Sequence, residues 1–273
     1  MDRILKLAAA FLLLGFLSLP AITPYLPFFG PSGGPVETTN QTMWYFPVTL
    51  TNDTGNRTNY ICPNDTTVFA NVIYLIGCVT GHGGGGAVTN VTSVSNGTCV
   101  ATLIGSRTNF NALSTVQTEQ ISVWRFATNV EVAASRWTAI TAGPAGGVNI
   151  LVVGITNTEA TSITDGGAMA IRQQVNFAQD VGPSIASNIF PTPLHPLGAS
   201  IVAMFVGTAS AAASISSNAN SQIVEVYETG YASPNNGAMV GFATNLPFAR
   251  QTNVVTGNSP TASKLIEIQK KWQ

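Results

Sequence analysis

The chain has 273 residues, 45% of them hydrophobic and only 8% charged, with 11 Lys+Arg against 12 Asp+Glu and a net charge of −1. An ordinary globular domain carries about a quarter charged residues, so this chain can fill a large core but has little ionic surface to keep it soluble alone. Its balanced charge gives no global field to draw in nucleic acid or an acidic partner, and its Thr, Ser, Asn, Ala and Gly suit faces covered by neighbours or sugars.

Arg3 and Lys6 precede AAAFLLLGFLSLPAI, an apolar run of signal-peptide size. The stretch from Leu7 to Leu19 is short for a membrane span of about 20 residues, and Pro20, Pro24 and Pro27 stop its extension. Two readings stay open: a secretory signal or membrane anchor, and an apolar arm, helical from Leu5 to Leu17, packed on a partner. The segment FFGPSGGP releases it, so residues 1–35 form an apolar amino-terminal segment and linker. Residues 36–255 are expected to be one β-sandwich domain, because no charged or Pro/Ser-rich linker divides them.

Aromatic and β-branched enrichment predicts strands at Met43–Thr51 and Thr67–Thr80. The stretches NDTGNRTNY, GHGGGGA and NVTSVSNGT are expected to be polar loops. Further strands are predicted at Thr98–Ile104 and from Ile121 to Val132, where Trp124, Phe126, Val130 and Val132 alternate with Arg125, Asn129 and Glu131. After the Gly/Pro corner at residues 143–147, Val148–Ile155 is apolar on both faces, as expected of a strand between two layers. Strands at Ser200–Val206 and Gln222–Tyr231 complete the pattern. Helix candidates are Ala168–Asp180 and the tail 256–273, whose SKLIEIQKKWQ carries Lys264, Lys270 and Lys271 with Glu267 as a solvated end. The expected fold is thus all-β, an antiparallel β-sandwich with an apolar amino-terminal arm or helix. Its core is expected to include Trp124, Phe126, Val130, Ile150, Val152, Val202, Phe205 and Val224.

Asn-x-Ser/Thr triplets occur at Asn40, Asn52, Asn56, Asn64, Asn90 and Asn96 and nowhere later, so export would make the amino-terminal third a glycosylation face. Cys62, Cys78 and Cys99 share that third; one disulfide with a thiol left over, and buried free thiols, are both open, and the spacing is not that of a zinc site. His82 lies in a glycine run that lacks the Lys-Ser/Thr of a phosphate loop, and His195 lies between prolines without a nucleophile motif. Asp165, Asp180, Glu225 and Glu228 are scattered. The sequence therefore names no catalytic residue, cofactor, metal or small-molecule substrate.

The pattern also carries a resemblance. Ser114-Thr115-Val116-Gln117 leads into Val123-Trp124-Arg125-Phe126, a second strand follows at Gly146–Ile150, and a late pair runs over Ala199–Val206 and Gln222–Glu228. In this the chain resembles the jelly-roll shell domain of small icosahedral RNA virus capsid proteins, nodavirus-like and tombusvirus-like. That resemblance implies a jelly-roll sandwich, self-assembly into a virion shell and contact with packaged RNA. Such capsids carry a basic arm, whereas here only Arg3 and Lys6 precede Arg57. The export-like features fit a secreted subunit instead, and the composition resembles that of archaeal filament proteins whose amino-terminal segment completes the sheet of the next subunit. They imply an extracellular, glycosylated subunit of a cell-surface filament, pilus or surface layer, assembling by β-strand addition, with membrane contact through its amino-terminal segment.

Overall fold

A computed structural model of the chain describes residues 43–81, 89–110, 117–158, 166–179, 184–190, 200–208, 214–216, 223–232, 235–244, 251–257 and 261–271. The apolar amino-terminal segment, its linker, His82, His195, Asn40, Asp165 and Asp180 lie outside those residues. In chain order the strands are β1 (Tyr45–Asp53), β2 (Arg57–Val68), β3 (Ile73–Gly81), β4 (Val91–Asn96), β5 (Cys99–Val100), β6 (Thr102–Phe110), β7 (Gln117–Ala127), β8 (Val132–Ala145) and β9 (Val148–Ile155). A single 3-10 turn, Ala168–Ala170, precedes β10 (Ile171–Gln179), β11 (Ser184–Phe190), β12 (Ser200–Thr208), β13 (Ser214–Ser216), β14 (Val224–Ala232), β15 (Asn235–Ala243), β16 (Gln251–Gly257) and β17 (Thr261–Gln269). The described residues contain no α-helix, and every named strand pairing is antiparallel.

The strands form sheets of order β1-β9-β3-β7-β6, β10-β17-β12-β15-β14, β2-β8-β4-β5 and β11-β16-β13. The first is central. Alternate residues of β3 and β9 point to opposite sides of it, and each side meets another sheet. On one side Ile73, Leu75, Val79, Leu151 and Val153 pack with Ile201, Phe205, Val240 and Ile266 of the β12 sheet. On the other, Tyr74, Ile76, Cys78, Ile150 and Val152 pack with Tyr60, Cys62, Val94, Trp137 and Ala139 of the β2-β8 sheet. All residues of β3, β9 and β12 are buried. A side chain of this size contributes roughly 1.5–3 kcal/mol when taken out of water, so strands buried on both faces anchor the stack. The far face of the β12 sheet buries Val202, Met204, Val206, Met239 and Leu265.

The strand expected between two layers, Val148–Ile155, is one. Six of the eight expected core residues lie inward: Trp124, Ile150, Val152, Val202 and Phe205 are buried and Phe126 packs half-buried against the Tyr74 side. Val130 and Val224 are corrections, at 55% and 59% exposure. Strand β7 ends at Ala127 because the Thr128 hydroxyl accepts a hydrogen bond from the Val130 amide at 3.1 Å, making a local turn that competes with the ladder. The strand expected to end at Val132 is therefore two, β7 and the start of β8, and β8 runs through Gly143-Pro144 to a corner at Gly146–Gly147. Two segments expected as loops hold strands β2 and β4.

Both helix candidates are also corrected. Ile171–Gln179 is a strand after one 3-10 turn, and the tail from Thr261 is β17, inserted between β10 and β12. Its residues alternate: Ala262, Ile266 and Ile268 face the central sheet, while Leu265 faces away. The β-branched isoleucines favour the pleated, half-buried surface over a helix. The carboxy-terminal tail is thus part of the sandwich, not a helical appendage.

Phe205 fills the space over Gly77, where any Cβ would strike its ring. Phe205→Ala should lower stability by about 3–5 kcal/mol, whereas Val130→Ser and Val224→Thr should each stay within about 0.5 kcal/mol. Urea midpoints of the three variants check this, and similar losses at all three positions would contradict the layering.

Candidate functional site

Among the described residues, an open cleft of about 250 Å³ is lined by Phe46, Pro47 and Val48 of β1, Thr66 and Thr67 of β2, Phe69 and Tyr74. It lies where two edge strands meet, β1 at the end of the central sheet and β2 at the end of its neighbour. Tyr74 forms the floor, its hydroxyl accepting a hydrogen bond from the Phe69 amide at 2.8 Å, and its ring tilts against Trp137 with centroids 5.7 Å apart. Burial pushes the Tyr74 phenol above its ordinary range, so it acts as a neutral hydrogen-bonding group. Pro47 and a register shift between Pro47 and Thr49 interrupt the β1 ladder, features that blunt an open edge. Phe69 is 48% exposed and Trp44, just before β1, 66%. The cleft offers apolar walls and no pair of acid and base.

At one end of the central sheet polar groups tie the layers together. The Asn149 amide on β9 donates to Asn236 Oδ1 on β15, and both residues are fully buried. The Tyr60 hydroxyl lies 2.8 Å from the Ala145 carbonyl and 2.9 Å from that of Gly55, fixing the β8 end beside the β1–β2 turn. Tyr231 lies against Gly147 and Gly81, where a Cβ would stand 2.6 and 2.5 Å from its hydroxyl. Burial raises the pKa of both phenols, so these are structural clamps and not acids at neutral pH. The exposed pairs Arg57–Asp53 (2.6 Å) and Arg136–Asp65 (3.3 Å) are of the kind that contributes little.

The sequons are not equivalent. Asn52 on β1, Asn56 in the turn before β2, Asn64 on β2 and Asn90 just before β4 are exposed. Asn96 is fully buried, its amide donating to Thr66 Oγ1 at 3.0 Å and to the Ser135 carbonyl at 2.9 Å. A sugar on Asn96 of the folded chain would have to break both bonds and open the β4–β5 hairpin. Cys62, Cys78 and Cys99, entertained above as disulfide partners, are three separate buried thiols. Burial pushes Cys62 up to about 12 and raises Cys78 and Cys99 as well.

Glu225 and Glu228 are exposed on edge strand β14. Among the described residues no group of three or more His, Cys, Asp or Glu side chains could hold a metal ion, and no helix is long and apolar enough to cross a membrane. The expected solvated basic tail is corrected too. Lys264 is 1% exposed and Glu267 fully buried, on opposite faces of β17. The Glu267 carboxylate accepts from Gln173 Nε2 at 2.7 Å and Ser200 Oγ at 2.8 Å. Lys264 Nζ donates to Asn176 Oδ1 at 2.8 Å, and burial lowers its pKa to about 8. Sequence reasoning missed both because charged residues are rarely buried; the strand-period alternation around them was the available signal.

The chain is an all-antiparallel layered β protein. It matches no protein-family model, no curated protein and no solved structure.

If the chain is glycosylated, glycopeptide mapping of the native protein should find sugar at Asn56 and Asn64 and none at Asn96. Occupancy at Asn96 would contradict its burial. Independently, all three thiols should resist alkylation at pH 8 in the folded protein and react after denaturation, since a thiolate is needed and buried thiols do not form one. Rapid labelling of the folded chain would show one of them to be accessible.

Proposed function

We propose that the chain is a non-catalytic structural subunit that assembles with copies of itself outside the cell, its cleft between β1 and β2 receiving the apolar amino-terminal segment of the next copy. The observation that supports this most is the cleft, an apolar hollow beside an open sheet edge on a protein with very few charges. The run Leu7–Leu19 supplies the complementary chemistry, because burying even five Leu or Phe side chains is worth roughly 7–15 kcal/mol. Exposed Asn56 and Asn64 on the same strand pair give the assembly a sugar-bearing outer face, and no small-molecule substrate or cofactor enters this reading.

The jelly-roll shell reading, with RNA as its cargo, draws on the strand pattern and the antiparallel layers alone. The five-stranded central sheet covered on both faces adds nothing in its favour over other sandwiches. The filament subunit is therefore the reading adopted.

Phe69→Asp places a charge at the cleft wall without touching the core. It should abolish particles of the full-length protein in sedimentation and negative-stain images while leaving the β circular dichroism spectrum unchanged. A chain lacking residues 1–35 should remain folded and monomeric and should bind a peptide of residues 5–20, with affinity lost in the Phe69→Asp background. Assembly of Phe69→Asp equal to that of the parent, or a parent that stays monomeric at high concentration, would sink the proposal.

A further inference from the structure

Lys264 is the one lysine among the described residues that is fully buried. It stands on β17 directly opposite Asn176 on β10, and its Nζ donates to Asn176 Oδ1 at 2.8 Å. No carboxylate among the described residues pairs with it. The facing strand β6 presents Gly105, where a Cβ would sit 2.5 Å from Nζ, so the amine lies close against the β6 backbone. The Gln174 carboxamide oxygen borders the same spot. An unpaired ammonium held in such a place costs several kcal/mol, which favours the neutral, nucleophilic amine.

We propose that Lys264 and Asn176 form an intramolecular amide cross-link joining β17 to β10. The step is a transamidation that balances without oxidant or cofactor. Nζ attacks Asn176 Cγ, the Nζ–Cγ bond forms and the Cγ–Nδ2 bond breaks. One amine proton passes to Nδ2, and ammonia leaves. Opposed on adjacent strands, the two groups react as an intramolecular pair, for which effective molarities of about 10⁵–10⁸ M are attainable. Burial raises the neutral, reactive fraction of the amine far above that of an exposed lysine, since the Lys264 pKa is lowered to about 8. The product removes a buried charge and ties β10, the edge strand of its sheet, to the strand beside it. Three thiols that form no disulfide leave this as the covalent brace of the sandwich.

The test is the mass of the folded full-length chain, read on tryptic peptides so that sugars elsewhere do not interfere. The native protein should lack one ammonia, with no cleavage after Lys264 and with the peptide bearing Asn176 joined to the one bearing Lys264. Lys264→Met and Asn176→Ala should each restore the missing ammonia. Asn176→Asp should restore the link with loss of water in its place. A native chain at full mass with a freely cleaved Lys264 overturns the proposal, as does an ammonia deficit that persists in Lys264→Met and so arises elsewhere. The wild-type mass decides even if a variant does not fold, and the outcome is independent of whether the chain assembles.

Discussion

A sheet that is apolar on both faces cannot exist without a layer on each side of it, and the rest of the molecule follows from that requirement. β3 and β9 carry no exposed residue. Their even and odd positions demand different partners, met by Phe205, Val240 and Ile266 on one side and by Tyr60, Trp137 and Ala139 on the other. Stacked sheets lie about 10 Å apart, so close approach matters, and glycines are placed where rings cross between layers. Gly77 beneath Phe205 is such a position, and Gly154 makes similar room for Phe46 on the neighbouring strand of its own sheet. The low charge content belongs to the same constraint, because a stack of several layers turns most strand positions inward and leaves few for ions.

Polar groups trapped between such layers must find partners there, since an unbonded buried group costs about 1–3 kcal/mol. Glu267 with Ser200 and Gln173 meets this requirement across neighbouring strands, and Asn149 with Asn236 meets it in part through one hydrogen bond between sheets. Each also fixes register. A slip of one residue would turn Glu267 toward the Ile266 side and break its two bonds. Hydrophobic burial holds the layers together, and these few polar contacts select one alignment among many that would bury similar area.

Much of the layering was legible in the sequence because period-2 alternation and unbroken apolar runs report burial directly. Val148–Ile155 and Ser200–Val206 could be placed on that ground alone. What failed were places where a short-range signal competed with a long-range one. Val130 continued the alternation of Trp124 and Phe126, yet the Thr128 hydroxyl ended the strand locally. The Asn- and Thr-rich stretches holding β2 and β4 looked like loops because one face of that outer sheet meets solvent. SKLIEIQ carried charges at spacings that suit a helix, and nothing local shows that β10 and β12 flank it on both sides. The cleft was not legible at all, since Phe46, Phe69 and Tyr74 come from separate segments that only the sheet order brings together.

The same physics argues for where chemistry and contact can reside in this protein. Catalysis at neutral pH needs groups whose pKa values are tuned apart and that reach a shared, accessible volume. Here burial acts in one direction on nearly every perturbed group: the phenols and thiols are held protonated and the Lys264 amine is driven toward neutrality. Interior side chains thereby lose charge without gaining a partner of complementary role, and the accessible hollow at β1 and β2 is walled by rings and methyl groups. A fold that neutralises its interior and leaves apolar surface at its sheet edges directs its free energy toward contact between surfaces. On the reading proposed above, contact with another copy would satisfy those edges, the cleft receiving that copy's apolar segment.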